Sequence, residues 1–215
     1  MRKRALIEVS ALFLLGAVVL FFFLKNSYNA AYTVFSVIIP FTGIIISKKN
    51  NEYYFLTIKN IKGVLKDFIL IGMPLLIFFV VLYFTVYHFY KSDKANDEDI
   101  GKFIYASIFP FFIAPICEEF CFRGYYQNRI KDIISKEIVI YKIKMPITII
   151  ITSMLFIMPH LIKDFNIFSI LVFFPSMLFG YAAERQKTIL SPILLHCAAN
   201  MEIGFLMWKL PLNIV

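Results

Sequence analysis

The sequence predicts an all-α fold, a polytopic bundle of about seven transmembrane helices with a polar cavity inside the membrane. Three observations predict it. Of the 215 residues, 60% are hydrophobic, against roughly 45–50% in ordinary soluble domains, and the mean hydropathy is +0.76. Apolar runs close to the roughly 20 residues that cross a bilayer recur along the chain, and no stretch between them is long and polar enough for a separate soluble domain. Charge collects mostly between the runs, but Glu118 and Glu119 lie side by side inside an apolar stretch. Lipid solvates charge poorly, so such a pair persists only with partners, water or a function.

The first span is predicted at residues 5–24. Its basic start, Met1-Arg2-Lys3-Arg4, suits a signal peptide, but the run continues without a small-residue cleavage site and reads as an uncleaved helix. Glu8 falls near its cytoplasmic end. The second span is predicted at 30–47, followed by an interfacial helix over 53–65 and a third span at 68–90, with His88 near its outer end. The fourth, 103–122, carries the glutamates. The fifth (146–162), sixth (165–183) and seventh (192–208) complete the set; the fifth and seventh are short and hold polar residues. The chain divides into residues 1–102, about three spans with the interfacial segment, and residues 103–215, a catalytic core of about four.

The net charge of +8 is spread over loops and ends, which reads as topology and contact with anionic lipid and not as nucleic-acid binding. Arg2, Lys3, Arg4, Lys48, Lys49, Lys59, Lys62, Lys66, Arg123, Arg129, Lys131, Lys136, Lys142, Lys144, Arg185 and Lys187 fall on one side, whereas Asp93, Asp97, Glu98 and Asp99 fall on the other. The positive-inside rule then places the N-terminus in the cytoplasm. Abundant Lys, Ile, Asn and Phe fit an AT-rich genome, hence a prokaryotic cytoplasmic membrane. Cys117, Cys121 and Cys197 all lie in apolar segments, so they read as small packing residues and not as a disulfide framework.

Three constellations carry chemistry. In Glu118-Glu119-x-x-x-Arg123 the second glutamate and the arginine are four apart and share a helix face. A salt bridge needs only Glu119, which leaves Glu118 for general acid or base work. Pro110 and Pro115 break the backbone pattern just upstream, as happens where a helix lines a cavity. In Phe156-x-x-x-His160, Pro159 precedes the histidine and predicts a distorted backbone. In His196-x-x-x-Asn200 two polar side chains stack one turn apart on an apolar helix, with Ser191-Pro192 expected as N-cap and first helical residue. Helix–helix hydrogen bonding is the alternative there. The predicted boundaries put His196 about 6 Å into its helix and His160 about 21 Å past Pro146, yet both have to reach Glu118. No His-Glu-x-x-His motif, Gly-x-Ser-x-Gly elbow or Gly-rich phosphate loop is present.

Together these motifs resemble the CAAX-protease and bacteriocin-processing (CPBP, "Abi") family of intramembrane proteases, whose pattern is Glu-Glu-x-x-x-Arg, Phe-x-x-x-His, then His-x-x-x-Asn or Asp. The resemblance spans about residues 103–205, and the run from Gly180 to Thr188 leading to Ser191-Pro192 resembles the family's approach to its last motif. It implies that Glu118 activates water with His160, that His196 and Asn200 stabilise the oxyanion, and that Glu119 and Arg123 support them. It implies peptide hydrolysis near the membrane, with a peptide or protein substrate, the lipid bilayer as partner and no nucleic acid. The mechanism it implies is glutamate-dependent and uses no metal cofactor. The alternatives are a zinc-dependent variant using two histidines and a carboxylate, a transporter using the same residues as a proton or cation relay, and an immunity protein without protease activity. A relay fold usually shows internal repeats, and none is seen; a non-catalytic relative would show degraded motifs, and every position is filled.

Overall fold

In the computed structural model, residues 2–23, 34–91, 99–163 and 165–211 are described. They form α1 (Arg2–Phe23), α2 (Phe35–Ser47), α3 (Ile61–Tyr90), α4 (Ile100–Lys131), a hairpin of β1 (Glu137–Ile140) and β2 (Ile143–Pro146), α5 (Ile147–Lys163), α6 (Ile167–Gln186) and α7 (Leu190–Lys209). Five of these helices are long and apolar enough to cross a membrane, and α2 and α5 are shorter apolar helices. The chain is thus an all-α membrane helix bundle. Its outer surface carries Leu14, Phe22, Phe41, Ile77, Phe84 and Ile104, each more than 45% exposed, as suits lipid-facing side chains. Part of the first two spans (24 and 30–33) and the acidic loop residues Asp93, Asp97 and Glu98 lie outside the described residues; Asp99 caps α4 by accepting from the Gly101 and Lys102 amides.

Prolines shape three helices in the same way. Pro40, Pro74 and Pro115 each follow a π-helical turn (Val34–Ile38, Phe68–Gly72 and Phe109–Ile113). A proline supplies no N–H to the carbonyl four residues back, and the wider turn takes up the mismatch. A fourth π-turn, Phe120–Tyr126, follows the glutamates directly. Pro159 does not interrupt α5, which runs through it to Lys163.

Two interiors hold the bundle. Phe35, Phe122, Tyr125, Tyr126 and Phe156 join α1, α2, α4 and α5, while Leu75, Phe179, Ala182 and Leu195 join α3, α6 and α7. Glu8 lies near the basic end of α1 as expected, and it is buried there. It accepts from Arg129 Nε at 2.9 Å and from the Tyr125 hydroxyl at 2.8 Å. Gly43 lets α2 approach this cluster, because a Cβ there would overlap the Tyr125 ring and hydroxyl. Tyr125 is fully buried and hydrogen-bonded and cannot swing aside. Gly43→Ala is therefore expected to destabilise by about 1–3 kcal/mol, read as a lower melting temperature in detergent.

The structure corrects the expectation of an interfacial helix. No helix lies across 53–65. Residues 51–58 form a turn-rich strap, and 61–65 are the first turns of α3, capped by Asn60, which accepts from the Gly63 amide at 2.9 Å. The strap is fixed by its own side chains: Tyr54 is fully buried against Tyr125, Tyr53 donates to the Asn128 carbonyl at 2.8 Å, and the Phe55 carbonyl accepts from Ile189 N–H at 2.9 Å. The structure also contains a hairpin where no element was predicted, pairing Glu137 with Pro146 through Ile140 with Ile143. Tyr141 and Lys142 form its turn with φ of 48° and 69°, the positive values a two-residue hairpin turn requires.

Candidate active site

Glu118 sits 13 residues before the end of α4 and His160 13 residues after the start of α5. These antiparallel neighbours bring both side chains to the same depth, about 20 Å from the basic end of the bundle. His196 is only six residues into α7, about 9 Å. The helix itself begins deep in the protein, which removes the discrepancy. Thr188 and Ser191 are buried at its start, and the Ile189 amide is bonded to the strap. The cap also differs from expectation: α7 begins at Leu190, whose N–H meets Thr188 Oγ1 at 3.3 Å, and Ser191-Pro192 lies within the first turn.

Glu118, His160, His196 and Asn200 all line one cavity of about 430 Å³, with Phe156 in its wall. Glu119 and Arg123 lie behind it. Glu119 is fully buried, and its Oε2 stands 3.2 Å from Arg123 Nε. The arginine also donates through Nη2 to the Ser176 carbonyl at 2.8 Å and to Ser176 Oγ at 2.7 Å. Its guanidinium lies over the Phe156 ring at 4.5 Å, so Phe156 is a packing residue with a cation–π role. Ser176 could not be singled out in the sequence, because half of what it offers is its backbone.

His196 is held between the two carboxylates. Its Nδ1 is 2.8 Å from Glu119 Oε1, and its Nε2 is 3.6 Å from Glu118 Oε2. A carboxylate can only accept, so Nδ1 carries the proton given to Glu119, and Nε2 faces the cavity. The ring stacks on Phe179 at 4.9 Å and 24°. Glu119 therefore does two things, pairing Arg123 and orienting the imidazole.

Asn200 is fixed by a consequence of the proline pattern. In the π-turn the Ala114 amide bonds to the Phe109 carbonyl, and residue 115 is proline, so the helix offers no donor to the Pro110 carbonyl. Asn200 Nδ2 fills that place at 2.9 Å. One amide hydrogen is thereby used and the other remains for the cavity. The signal was present in the sequence as Pro110-x-x-x-x-Pro115, but pairing it with Asn200 needed the fold.

The other singled-out residues stand apart from the cavity. His88 is exposed near the end of α3 against Phe89. Cys121 is fully buried, Cys117 and Cys197 are half-buried, and all three are free thiols. Among the described residues no group of three or more His, Cys, Asp or Glu side chains could share one metal ion. Glu202, in the outer half of α7, was not singled out; it is half-buried.

No curated protein and no solved structure matches the chain. Residues 100–201 match the family model described as Rce1-like, type II CAAX prenyl endopeptidase Rce1-like. The match takes in every residue of the three motifs and ends one residue after Asn200. Through this segment, just under half of the chain, the sequence is similar to the CAAX-protease family, and the same segment brings Glu118, His160, His196 and Asn200 to one cavity.

Proposed function

We propose that this protein is an intramembrane endopeptidase that hydrolyses a peptide bond of a membrane-associated protein or peptide. The observation that carries the reading is the convergence of Glu118, His160, His196 and Asn200 on one cavity, from three helices, inside a segment matched by a protease family. Glu118 and His160 hold the attacking water. Glu118 takes its proton as the oxygen adds to the scissile carbonyl. The oxyanion that forms receives Asn200's second amide hydrogen and lies at the Nε2 edge of His196. Glu119 accepts from Nδ1 and holds the ring in that orientation. Collapse breaks the C–N bond, and Glu118 returns the proton to the leaving amine. One water is consumed, and a carboxylic acid and an amine result. No metal is needed in this sequence of steps.

Asn200→Ala is expected to lower the single-turnover rate about 100- to 1000-fold, the usual loss for one oxyanion donor. Substrate affinity should change little, because the contact forms in the transition state. An ionised Asp at this position could donate neither to Pro110 nor to the oxyanion, so Asn200→Asp should also be slow unless protonated. If Glu118 and the histidines instead form a proton relay, the wild type will show no cleavage and Asn200→Asp will not impair proton flux. Rates measured in proteoliposomes separate the two.

A further inference from the structure

We infer that substrate reaches the cavity from the non-cytoplasmic half of the bilayer, between α3 and α6, as an extended peptide segment with apolar side chains flanking the scissile bond. This deepens the protease reading and rests on it for the word substrate.

The direction follows from where the cavity lies along each helix. Its wall on α4 comes from residues at or before Glu118, including Phe111; on α5 it comes from Phe156 and His160 in the second half, and on α3 from Phe79 and Leu82 in the second half. These are the parts nearest the end of the bundle where α3 finishes at Tyr90, α4 starts at Ile100 and α5 finishes at Lys163. The opposite end carries Lys48, Lys49, Lys59, Lys131, Lys136, Lys142, Lys144 and Lys187, the signature of the cytoplasmic side.

Toward that basic end the site is closed. Below Glu118 the side chains of Glu119, Phe122, Arg123, Tyr126 and Gln127 are all buried, and Gln127 Nε2 donates to the Gly180 carbonyl across to α6 at 3.1 Å. The strap lies beyond them. Phe55 is buried within it, under the ammonium groups of Lys131 and Lys187 at 4.6 and 5.3 Å from its ring. Toward the other end the cavity is open: Phe168 and Leu171 line it yet are 39% and 36% exposed. A second cleft of about 340 Å³ lies between Leu70, Pro74 and Phe78 of α3 and Phe174 and Leu178 of α6, and shares Pro175 with the first. The α3–α6 seam is therefore open along much of its length.

The lining names the chemistry. Polar side chains occur only at the inner end, where Glu118, His160, His196 and Asn200 meet, and the mouth is aromatic and aliphatic. A scissile carbonyl fits the polar end while apolar neighbours occupy the walls. The class indicated is the leader or tail of an exported peptide, or a peptide arriving from outside, and not the tail of a cytoplasmic protein.

Sidedness of labelling tests this without relying on activity. Single cysteines at Phe168→Cys and Leu82→Cys, with Lys142→Cys at the hairpin turn as marker of the opposite end, are placed in a Cys117→Ala/Cys121→Ala/Cys197→Ala background. They are also placed in the wild-type chain, with its own thiol signal as blank, should that background fold poorly. A membrane-impermeant sulfonated maleimide is applied to intact spheroplasts and to inverted vesicles. Phe168→Cys and Leu82→Cys should react at least tenfold faster in spheroplasts, and Lys142→Cys only in inverted vesicles. The reverse pattern, or reaction of the two cavity positions from neither side, overturns the route. For the substrate class, peptides varied around the scissile bond should be cut at least tenfold faster with apolar than with charged residues there, and equal rates would overturn it. Absence of peptide cleavage by the wild-type enzyme would defeat the protease reading and leave the labelling result standing, so the two failures are distinguishable.

Discussion

Glu118→Gln is expected to lower the rate constant for peptide cleavage by about 10²- to 10⁴-fold, the range that a positioned general base contributes. Glutamine keeps the size of the side chain but cannot take a proton from water. Glu119, which pairs with Arg123 at 3.2 Å, stays in place. The variant should therefore insert and melt like the parent, which makes the loss of rate a statement about chemistry. His160→Ala should fall in the same range. Purified Glu118→Gln enzyme turning over at a near wild-type rate would remove the catalytic assignment.

The second large effect is on stability. Glu119→Ala takes the carboxylate from a guanidinium that is 1% exposed and at the same time releases His196 Nδ1, which stands 2.8 Å from Glu119. Breaking a buried ion pair by removing one partner costs about 3–5 kcal/mol. The melting temperature in detergent should fall by on the order of 10 °C. Glu119→Gln keeps an acceptor oxygen for His196 and should recover part of the loss. An unchanged melting temperature in Glu119→Ala would mean that the pair contributes nothing to the fold.

The candidate site was legible because charge inside lipid has few explanations. Glu118, Glu119 and Arg123 stand out in an apolar run, and the histidines stand out in theirs. Helix spacing was enough to predict the Glu119–Arg123 pair. What could not be read was which groups meet across the bundle. Glu8 and Arg129 are 121 positions apart, and each alone looks like an interfacial charge. Ser176 serves Arg123 partly through a carbonyl, which no residue type reveals. The strap over 51–58 was misread as a surface helix because its conformation is set by tertiary contacts of Tyr53, Tyr54 and Phe55 and not by local periodicity. Depth failed for a related reason: α7 starts beneath that strap, so counting residues from its predicted start underestimated how far His196 lies inside. The hairpin was missed because its turn is Tyr141-Lys142, without the Asn-Gly or Asp-Gly pair that signals such turns.

The central claim is that Glu118-activated water, without metal, cleaves a peptide bond in this cavity. Its most direct measurement uses detergent-solubilised wild-type enzyme and Glu118→Gln, incubated with a library of apolar peptides in ¹⁸O-labelled water with excess chelator, and product termini read by mass spectrometry. The expected result is new C-termini carrying one ¹⁸O with the wild type under chelation and none with Glu118→Gln. The contradicting result is cleavage by both proteins alike, no cleavage by either, or wild-type cleavage that is lost on chelation and restored by zinc.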